Sequence, residues 1–162
     1  MIRLSVLNYR LFWTWDHSTN WDLNTVGKQE TGVICPYSKG EEGFLKDYRL
    51  LIDFMSIHQF NGLIIWGFLR DSHGGIKAAQ KLCRYAKQKG VRILPGVGIN
   101  SYGGVYWEGN HKYNLTNWLM KHPELRAKTS RPQNYYQKHY LSLACPSKKE
   151  NLEWNKEAIR WL

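Results

Sequence analysis

The segment 41–60 carries apolar side chains every three or four residues, the spacing of a helix with one buried face. These side chains are Phe44, Tyr48, Leu51, Ile52 and Met55. Acidic residues stand at the start of the segment, and the Asn61-Gly62 pair follows it, as is typical of the two ends of a helix. The pattern predicts an amphipathic helix that ends before residue 61.

A second helix is predicted over residues 76–89, where lysines alternate with apolar or small side chains and Gly90 follows. The expected buried face consists of Ile76, Ala79, Leu82, Cys83 and Ala86. A shorter helix is predicted within 114–125, ending before Pro123, because the residue that precedes a proline disfavours helical geometry.

The last segment, 147–162, also has a helical pattern. Ser147 and Glu150 have the spacing of a capping box, in which each side chain bonds a free backbone N–H of the first turn. The apolar positions expected to face the core are Leu152, Ile159 and Leu162.

Three apolar runs of strand length alternate with these helices. Residues 63–69 and 91–99 are almost continuously apolar, as is typical of strands buried on both faces of a parallel sheet. A first strand fits the part of 2–15 that ends near Trp15. The predicted order is therefore strand, helix, strand, helix, strand, a long loop at about 100–147 and a final helix.

This order predicts an α/β fold of repeated βα units with parallel strands. Because a closed (β/α)8 TIM barrel takes about 250 residues, the 162 residues correspond to about its first three units, a partial barrel. Residues 1–162 are then either a single domain or the N-terminal fragment of a TIM-barrel domain, and the apolar end at Leu162 favours the fragment. A small doubly wound domain is the alternative, but the first strand-to-helix turn lacks the glycine-rich phosphate fingerprint.

The charge of the chain adds little to this picture. With 23 Lys+Arg against 13 Asp+Glu the formal net charge is +10, yet the basic residues are spread along helices and interrupted by glutamates. Solvated helix faces explain that distribution, so nucleic acid is not the expected partner. Basic residues interleaved with aromatic ones at 131–140 are the one local feature that favours it.

Cysteine usage and hydropathy exclude further classes. Cys35, Cys83 and Cys145 are odd in number and lie far apart, which supports neither a disulfide framework nor a zinc site. No cofactor is expected. The sequence as written shows neither an export signal nor a stretch long enough to span a membrane, so no membrane partner is expected and the compartment stays open.

Candidate functional residues follow the ends of the predicted strands, where the working face of a barrel is built. The loop after the first strand offers Asp16, His17, Asn20 and Trp21, the second offers Arg70, Asp71 and His73, and the third offers Asn100, Tyr102, Tyr106, Trp107 and Glu108. Aromatic faces beside polar groups match the apolar faces and hydroxyl rim of a sugar.

Several of these residues have more than one interpretation. Asp16-His17 and Asp71-Ser72-His73 are the type of pair that binds a metal, but loop-anchoring hydrogen bonds explain them better, and no metal is expected. Core packing is the favoured role for Trp13, Trp15 and Trp66. The candidate catalytic carboxylates are Asp16, Asp71 and Glu108.

Three segments resemble the N-terminal part of barrel-type glycoside hydrolases and their uncharacterised bacterial relatives. They are 93–104 (ILPGVGINSYGG), 121–128 (KHPELRAK, with its HPE element) and 144–154 (ACPSKKENLEW, with its CPS element). The resemblance implies a (β/α)8 glycosidase acting on a poly- or oligosaccharide, with His17, Arg70 and His122 or nearby residues lining the sugar subsites. It also implies that the catalytic acids lie on later strands, so that this chain alone would be inactive.

A stand-alone, non-enzymatic carbohydrate-binding or interaction module is the other hypothesis. Trp21, Trp107 and the tyrosines at 135–136 would then form its stacking platform. Three parallel strands with three helices leave both edges of the sheet open, so self-association of the 162 residues through those edges is expected.

Overall fold

A computed structural model describes residues 8–15, 40–101, 103–128 and 143–162 of the chain. Over these residues the fold is α/β, with three strands and four α-helices. In chain order the elements are β1 (Leu11–Trp15), α1 (Glu41–Ile57), β2 (Gly62–Trp66), α2 (Gly75–Gln88), β3 (Arg92–Gly96), α3 (Leu115–Lys121) and α4 (Lys149–Trp161). Short 3₁₀ turns lie at Asp71–His73 and Pro123–Leu125.

The three strands form one parallel sheet in the order β1-β2-β3. In register, Trp13 pairs with Ile64 and Ile64 pairs with Leu94. The prediction of repeated βα units with parallel strands is therefore confirmed for the described residues. The second and third strands are shorter than the apolar runs indicated. β2 ends before Gly67, because this glycine adopts a left-handed φ of 80°, and β3 ends at Gly96.

One side of the sheet is covered by α1 and α2. Leu63 and Ile65 are fully buried there, and the hydroxyl oxygens of Thr14 and Tyr48 lie 3.1 Å apart, which links β1 to α1. The predicted buried face of α1 is confirmed in full. In α2 the buried side chains are Ala78, Ala79, Leu82 and Ala86, so the prediction was wrong for Ile76 and Cys83, which are exposed.

The other side of the sheet is apolar and the described residues leave much of it open. Leu11, Trp13 and Leu94 are 48%, 53% and 44% exposed. Two large side chains lie over glycines of the next strand: a Cβ added at Gly62 would stand 2.2 Å from Leu11 Cδ2, and one at Gly96 would stand 2.6 Å from Trp66 Cε3. Because its side chain is 53% exposed, Trp13 is not a core residue among the described residues, contrary to expectation. Trp66 is half-buried.

Helix α4 packs through a face other than the predicted one. Leu152, Ile159 and Leu162 are 49%, 47% and 46% exposed, which corrects their assignment to the core. The buried residues are Asn151, Trp154, Asn155 and Ala158. The reason is a polar tether: the Asn151 amide donates to the carbonyls of Leu125 and Cys145, at 2.8 and 3.0 Å.

The start of α4 also differs from the prediction. The helix begins at Lys149, its N-cap is Lys148, and no side chain caps it, so the Ser147–Glu150 capping box does not form. Helix α3 is capped instead, since the Asn114 side-chain oxygen accepts from the backbone N–H of Asn117 at 2.9 Å. In the described part of the chain, no helix is both long enough and apolar enough to cross a membrane.

Candidate functional site

The loops that follow β2 and β3 are joined by an ion pair. Arg70 Nε donates to Glu108 Oε2 at 3.0 Å, and Arg70 Nη2 donates to the same oxygen. The backbone N–H of Asp71 donates to the Glu108 carbonyl at 3.0 Å, and the hydroxyl of Ser72 lies 3.4 Å from Glu108 Oε2. The Arg70 side chain is only 11% exposed, so this pair holds the two loops together at the carboxyl end of the sheet.

Hydrogen bonds of Asp71, the next residue of the turn, form a second link between the two loops. The Tyr106 hydroxyl donates to Asp71 Oδ1, and the backbone N–H of Asn110 donates to Asp71 Oδ2 at 3.1 Å. Burial, and then the hydrogen bond to Asp71, raise the pKa of the Tyr106 phenol well above its ordinary range, so the phenol stays a proton donor. We call Arg70, Asp71, Tyr106 and Glu108 the strand-end cluster.

Backbone geometry at Gly109 lets the carboxylate of Asp71 approach this closely. Gly109 has a φ of 116°, which side chains with a Cβ rarely adopt. A Cβ at Gly109 would stand 1.9 Å from Asp71 Oδ2. A glycine is therefore required at this position for two reasons, the positive φ of the backbone and the space that the Asp71 carboxylate occupies.

A cleft of about 730 Å³ lies beside the strand-end cluster, between residues 110–113, α3 and α4. Its lining residues are Asn110, His111, Lys112, Tyr113, Asn117, Trp118, Met120, Lys121, His122, Trp154 and Glu157. It is continuous with the cluster because the His111 ring stacks on Tyr106 at 4.4 Å, with 21° between the rings. Its volume is within the range of small-ligand sites.

Aromatic rings build the inner wall of this cleft. Trp118 and Trp154 stack with centroids 5.7 Å apart and 20° between their planes, and His122 lies 4.0 Å from the Trp118 ring. The indole N–H of Trp118 donates to Asn151 Oδ1 at 3.1 Å, which fixes the wall to α4. The ring of His111 reaches Trp161, also on α4, at 4.5 Å.

Polar and charged groups surround this wall. Burial, reinforced by the positive charge of Lys112 and opposed by Asp71, lowers the pKa of His111 below its ordinary value, so the imidazole is neutral near pH 7. Lys112 Nζ lies 4.6 Å from the Tyr113 ring centroid, a cation–π contact that holds the ammonium group at the edge of the cleft. The cleft therefore offers aromatic faces, amides, an imidazole donor and cations to one ligand.

The predicted site residues fall into separate groups. Asp16, His17, Asn20, Trp21 and Tyr102 lie outside the described residues, as do the tyrosines at 135–136 and Cys35. Arg70, Asp71, Tyr106 and Glu108 come together in the strand-end cluster, and His122 lines the cleft.

Three remaining candidates, His73, Asn100 and Trp107, are not among the described lining residues of the cleft. His73 is 2% exposed and stacks on Phe44 at 4.6 Å, so it packs the core instead of lining the site. The carbonyl of Asn100 accepts from the Ala144 N–H at 2.9 Å, and the Trp107 N–H donates to the Leu69 carbonyl at 2.7 Å. These two bonds involve only backbone atoms, and the side chains of Asn100 and Trp107 are half-buried.

Sequence reasoning missed most of the cleft. Asn110 and His111 belong to a segment without a strong hydrophobic period, and Asn117 and Glu157 are polar positions on predicted helices. A signal was nevertheless present, since residues 110–113 join an amide, an imidazole, an ammonium and a phenol in one short run. Over the described ranges, no three His, Cys, Asp or Glu side chains gather closely enough to hold a metal ion.

The segments that resemble barrel-type glycoside hydrolases surround this site. Residues 93–101 and 103–104 lead from β3 towards the strand-end cluster, residues 121–128 continue from the α3 wall of the cleft, and residues 144–154 lead into α4. Their link to carbohydrate stays a prediction. When the chain was compared with protein families, with curated proteins and with solved structures, nothing matched it.

Proposed function

We propose that this chain binds a poly- or oligosaccharide and is the N-terminal, sugar-binding part of a barrel-type glycoside hydrolase. The observation that carries the proposal is the cleft, in which the half-buried Trp118, stacked on the buried Trp154, is surrounded by amide, imidazole and charged groups. A sugar ring has apolar C–H faces that pack on aromatic rings and hydroxyls that exchange hydrogen bonds with such groups.

The arrangement of the sheet supports the barrel part of the proposal. Strands in sequential order, with α1 and α2 on one side, follow the pattern of a singly wound sheet, whereas a doubly wound sheet reverses its strand order and carries helices on both faces. In a closed barrel the open apolar side becomes the interior. The packing of Leu11 over Gly62 and of Trp66 over Gly96 suits an interior in which large side chains of one strand fill the space above small ones of the next.

The outer helices support further lateral packing as well. Leu50, Phe54 and Ile57 form a stripe on α1 and are 44%, 46% and 76% exposed. They lie on one face at spacings of four and three residues, which is the pattern of a helix that packs on a neighbour. Further βα units of a barrel would cover such a stripe.

The carboxylates of the strand-end cluster are engaged in hydrogen bonds within the protein, which makes them poor candidates for proton transfer to a substrate. Both oxygens of Asp71 accept hydrogen bonds within the protein, and one oxygen of Glu108 accepts from Arg70. Glycoside hydrolysis needs one carboxyl group as acid and a second as nucleophile or base, both facing the scissile bond. In the proposed enzyme that pair comes from strands beyond β3, and the described part of this chain positions the sugar.

The test measures direct binding of neutral and acidic oligosaccharides to the chain, with tryptophan fluorescence as the readout. A double variant, Asn110→Ala with His122→Phe, removes two polar side chains from the cleft and keeps an aromatic ring against Trp118. We expect it to weaken binding about tenfold, the effect of losing one or two hydrogen bonds. Gln80→Ala with Gln88→Ala, both on the exposed side of α2, is the matched control. Unchanged binding in the cleft variant would contradict the proposal.

A stand-alone carbohydrate-binding module is the second candidate, and one observation favours it. The lining residues that the structure describes all lie between Asn110 and Glu157 of this chain, and none belongs to a strand. The mass of the protein as its native source makes it distinguishes the two candidate functions. A product well above 19.1 kDa that hydrolyses the bound glycan supports the glycosidase, and a product at that mass that binds without hydrolysis supports the module.

A further inference from the structure

Two ammonium groups stand on different walls of the cleft. Lys112 belongs to the loop that follows the strand-end cluster, and Lys121 belongs to the last turn of α3. Neither lysine forms an ion pair with a carboxylate among the residues that the structure describes. Both cations are therefore available to a ligand.

The negative groups near the cleft are fewer or already engaged. Glu157 is the one carboxylate in the described lining. Asp71 and Glu108 are held by Tyr106 and Arg70, and Glu124, 63% exposed, lies 3.5 Å from His122 Nδ1. A ligand thus meets more positive than negative charge in the lining, on a chain whose formal net charge is +10.

Uncharged donors add to this preference. The side chains of Asn110 and the rings of His111 and His122 offer N–H groups around the aromatic wall. Carboxylate and sulfate oxygens accept hydrogen bonds from ammonium, imidazole and amide groups at once, and such charge-assisted bonds are about twice as strong as neutral ones. A neutral sugar would leave the two lysines without a counter-charge.

We propose that the cleft selects acidic glycans, those that carry a carboxylate or a sulfate on the sugar ring. The inference rests on the proposed function and narrows its substrate class. Lys112 and Lys121 are the residues that determine the selectivity, and the Trp118–Trp154 wall holds the ring in place.

The experiment compares matched ligand pairs on the whole chain by calorimetry. Oligogalacturonate against its methyl ester isolates the carboxylate, and sulfated against unsulfated chondroitin isolates the sulfate. We expect the acidic member of at least one pair to bind about tenfold more tightly than its partner at low ionic strength, with the difference shrinking as salt is added. Which pair responds identifies the acidic group.

Variants place the effect in the cleft. Lys112→Gln with Lys121→Gln should abolish the preference, and Glu157→Gln should increase it, because that change removes a negative charge from the lining. Lys77→Gln with Lys87→Gln, exposed on α2, makes the same change in net charge away from the cleft and should leave the preference intact.

The outcomes separate the inference from the proposed function. Equal binding of neutral and acidic members would overturn the inference and leave carbohydrate binding in place. Binding of no glycan would overturn both. Equal losses in the cleft and α2 double variants, or single-stranded DNA that binds as tightly as the acidic glycans, would show attraction to net charge alone and would also overturn the inference.

Discussion

The hydroxyl of Tyr106, in the loop after β3, donates a hydrogen bond to Oδ1 of Asp71, in the turn after β2. This contact joins two loops that are 35 residues apart in the chain. Tyr106 is 3% exposed, so its ring is part of the core while its hydroxyl reaches the candidate site. The side of the cleft that includes Asn110 and His111 depends on this junction.

Removing that hydroxyl tests the junction. We expect Tyr106→Phe to lower the free energy of unfolding by about 1 kcal/mol, the value of one hydrogen bond whose acceptor can be rehydrated, since Asp71 is exposed. Urea denaturation measures the change. Tyr9→Phe, at a 69% exposed tyrosine, is the control. Equal stability of wild type and Tyr106→Phe would mean that the hydrogen bond does not brace the loops.

Gly109 should tolerate no side chain. Gly109→Ala combines a φ of 116° with a Cβ 1.9 Å from Asp71 Oδ2, whereas Gly90→Ala has a φ of 76° and no atom within 4 Å of the new Cβ. Each alanine adds backbone strain of about 1 kcal/mol or more, but only Gly109→Ala also displaces the carboxylate. Thermal unfolding should therefore show a larger loss for Gly109→Ala, and equal losses would contradict the close approach.

Asn114 joins α3 to the loop after β3. Its oxygen caps α3, and its amide nitrogen donates to the carbonyls of Tyr106 and Trp107 at 2.9 and 3.0 Å. We expect Asn114→Ala to cost about 2–4 kcal/mol, because it removes a cap and leaves buried carbonyls without a donor. Asn110→Ala, at an exposed asparagine, is the control in the same denaturation experiment. A cost below that of the control would contradict this role.

His111 should make stability depend on pH. Its pKa in the folded protein lies below the ordinary value of 6.5, so the folded state binds the proton less readily than the unfolded chain does. Stability is then fully present above about pH 6.5 and is lost as the pH falls through the folded pKa. Thermal melts between pH 7 and pH 5 should show this loss, and it should be smaller in His111→Gln. An NMR titration of His111 with a midpoint above 6.5 would contradict the prediction.

The two sides of the sheet should respond differently to truncation. Leu63→Ala opens a cavity in the helix-covered core and should cost about 2–5 kcal/mol. Trp13→Ala, at a side chain that is 53% exposed, should cost less than about 1 kcal/mol in this chain. The same substitution in a protein with a closed barrel would approach the cost of Leu63→Ala.

Size-exclusion chromatography with light scattering should also show less self-association for Trp13→Lys than for wild type.

Local pattern was enough to predict the elements and their order. Tyr48 and Met55 were assigned to the buried face of α1 from their spacing alone, because a helix with one buried face repeats every 3.6 residues. The same reasoning failed for Leu152 and Ile159 on α4. There the buried face includes Asn151, whose hydrogen bonds to the carbonyls of Cys145 and of Leu125, 26 residues away, no hydrophobic pattern reveals.

The candidate site was predicted in part. Arg70, Asp71 and Glu108 were identified because parallel strands end at one edge of the sheet, so the residues that follow β2 and β3 must be near one another. The partners inside that group, and its extension into the cleft, did not follow from position. His73 was assigned to the site by its place in the chain, but the turn directs its ring onto Phe44.

The sequence by itself determined the parallel α/β fold and the three strands with the helices between them, because these depend on residue type and spacing over short distances. Tertiary structure decided which side of the sheet is covered and which face of α4 is buried. It also decided that the residues around His111 meet α3 and α4 in a cleft beside the strand-end cluster. These relationships join residues far apart in the chain, and they depend on packing volumes and on hydrogen-bond partners that are assigned only once the chain has folded.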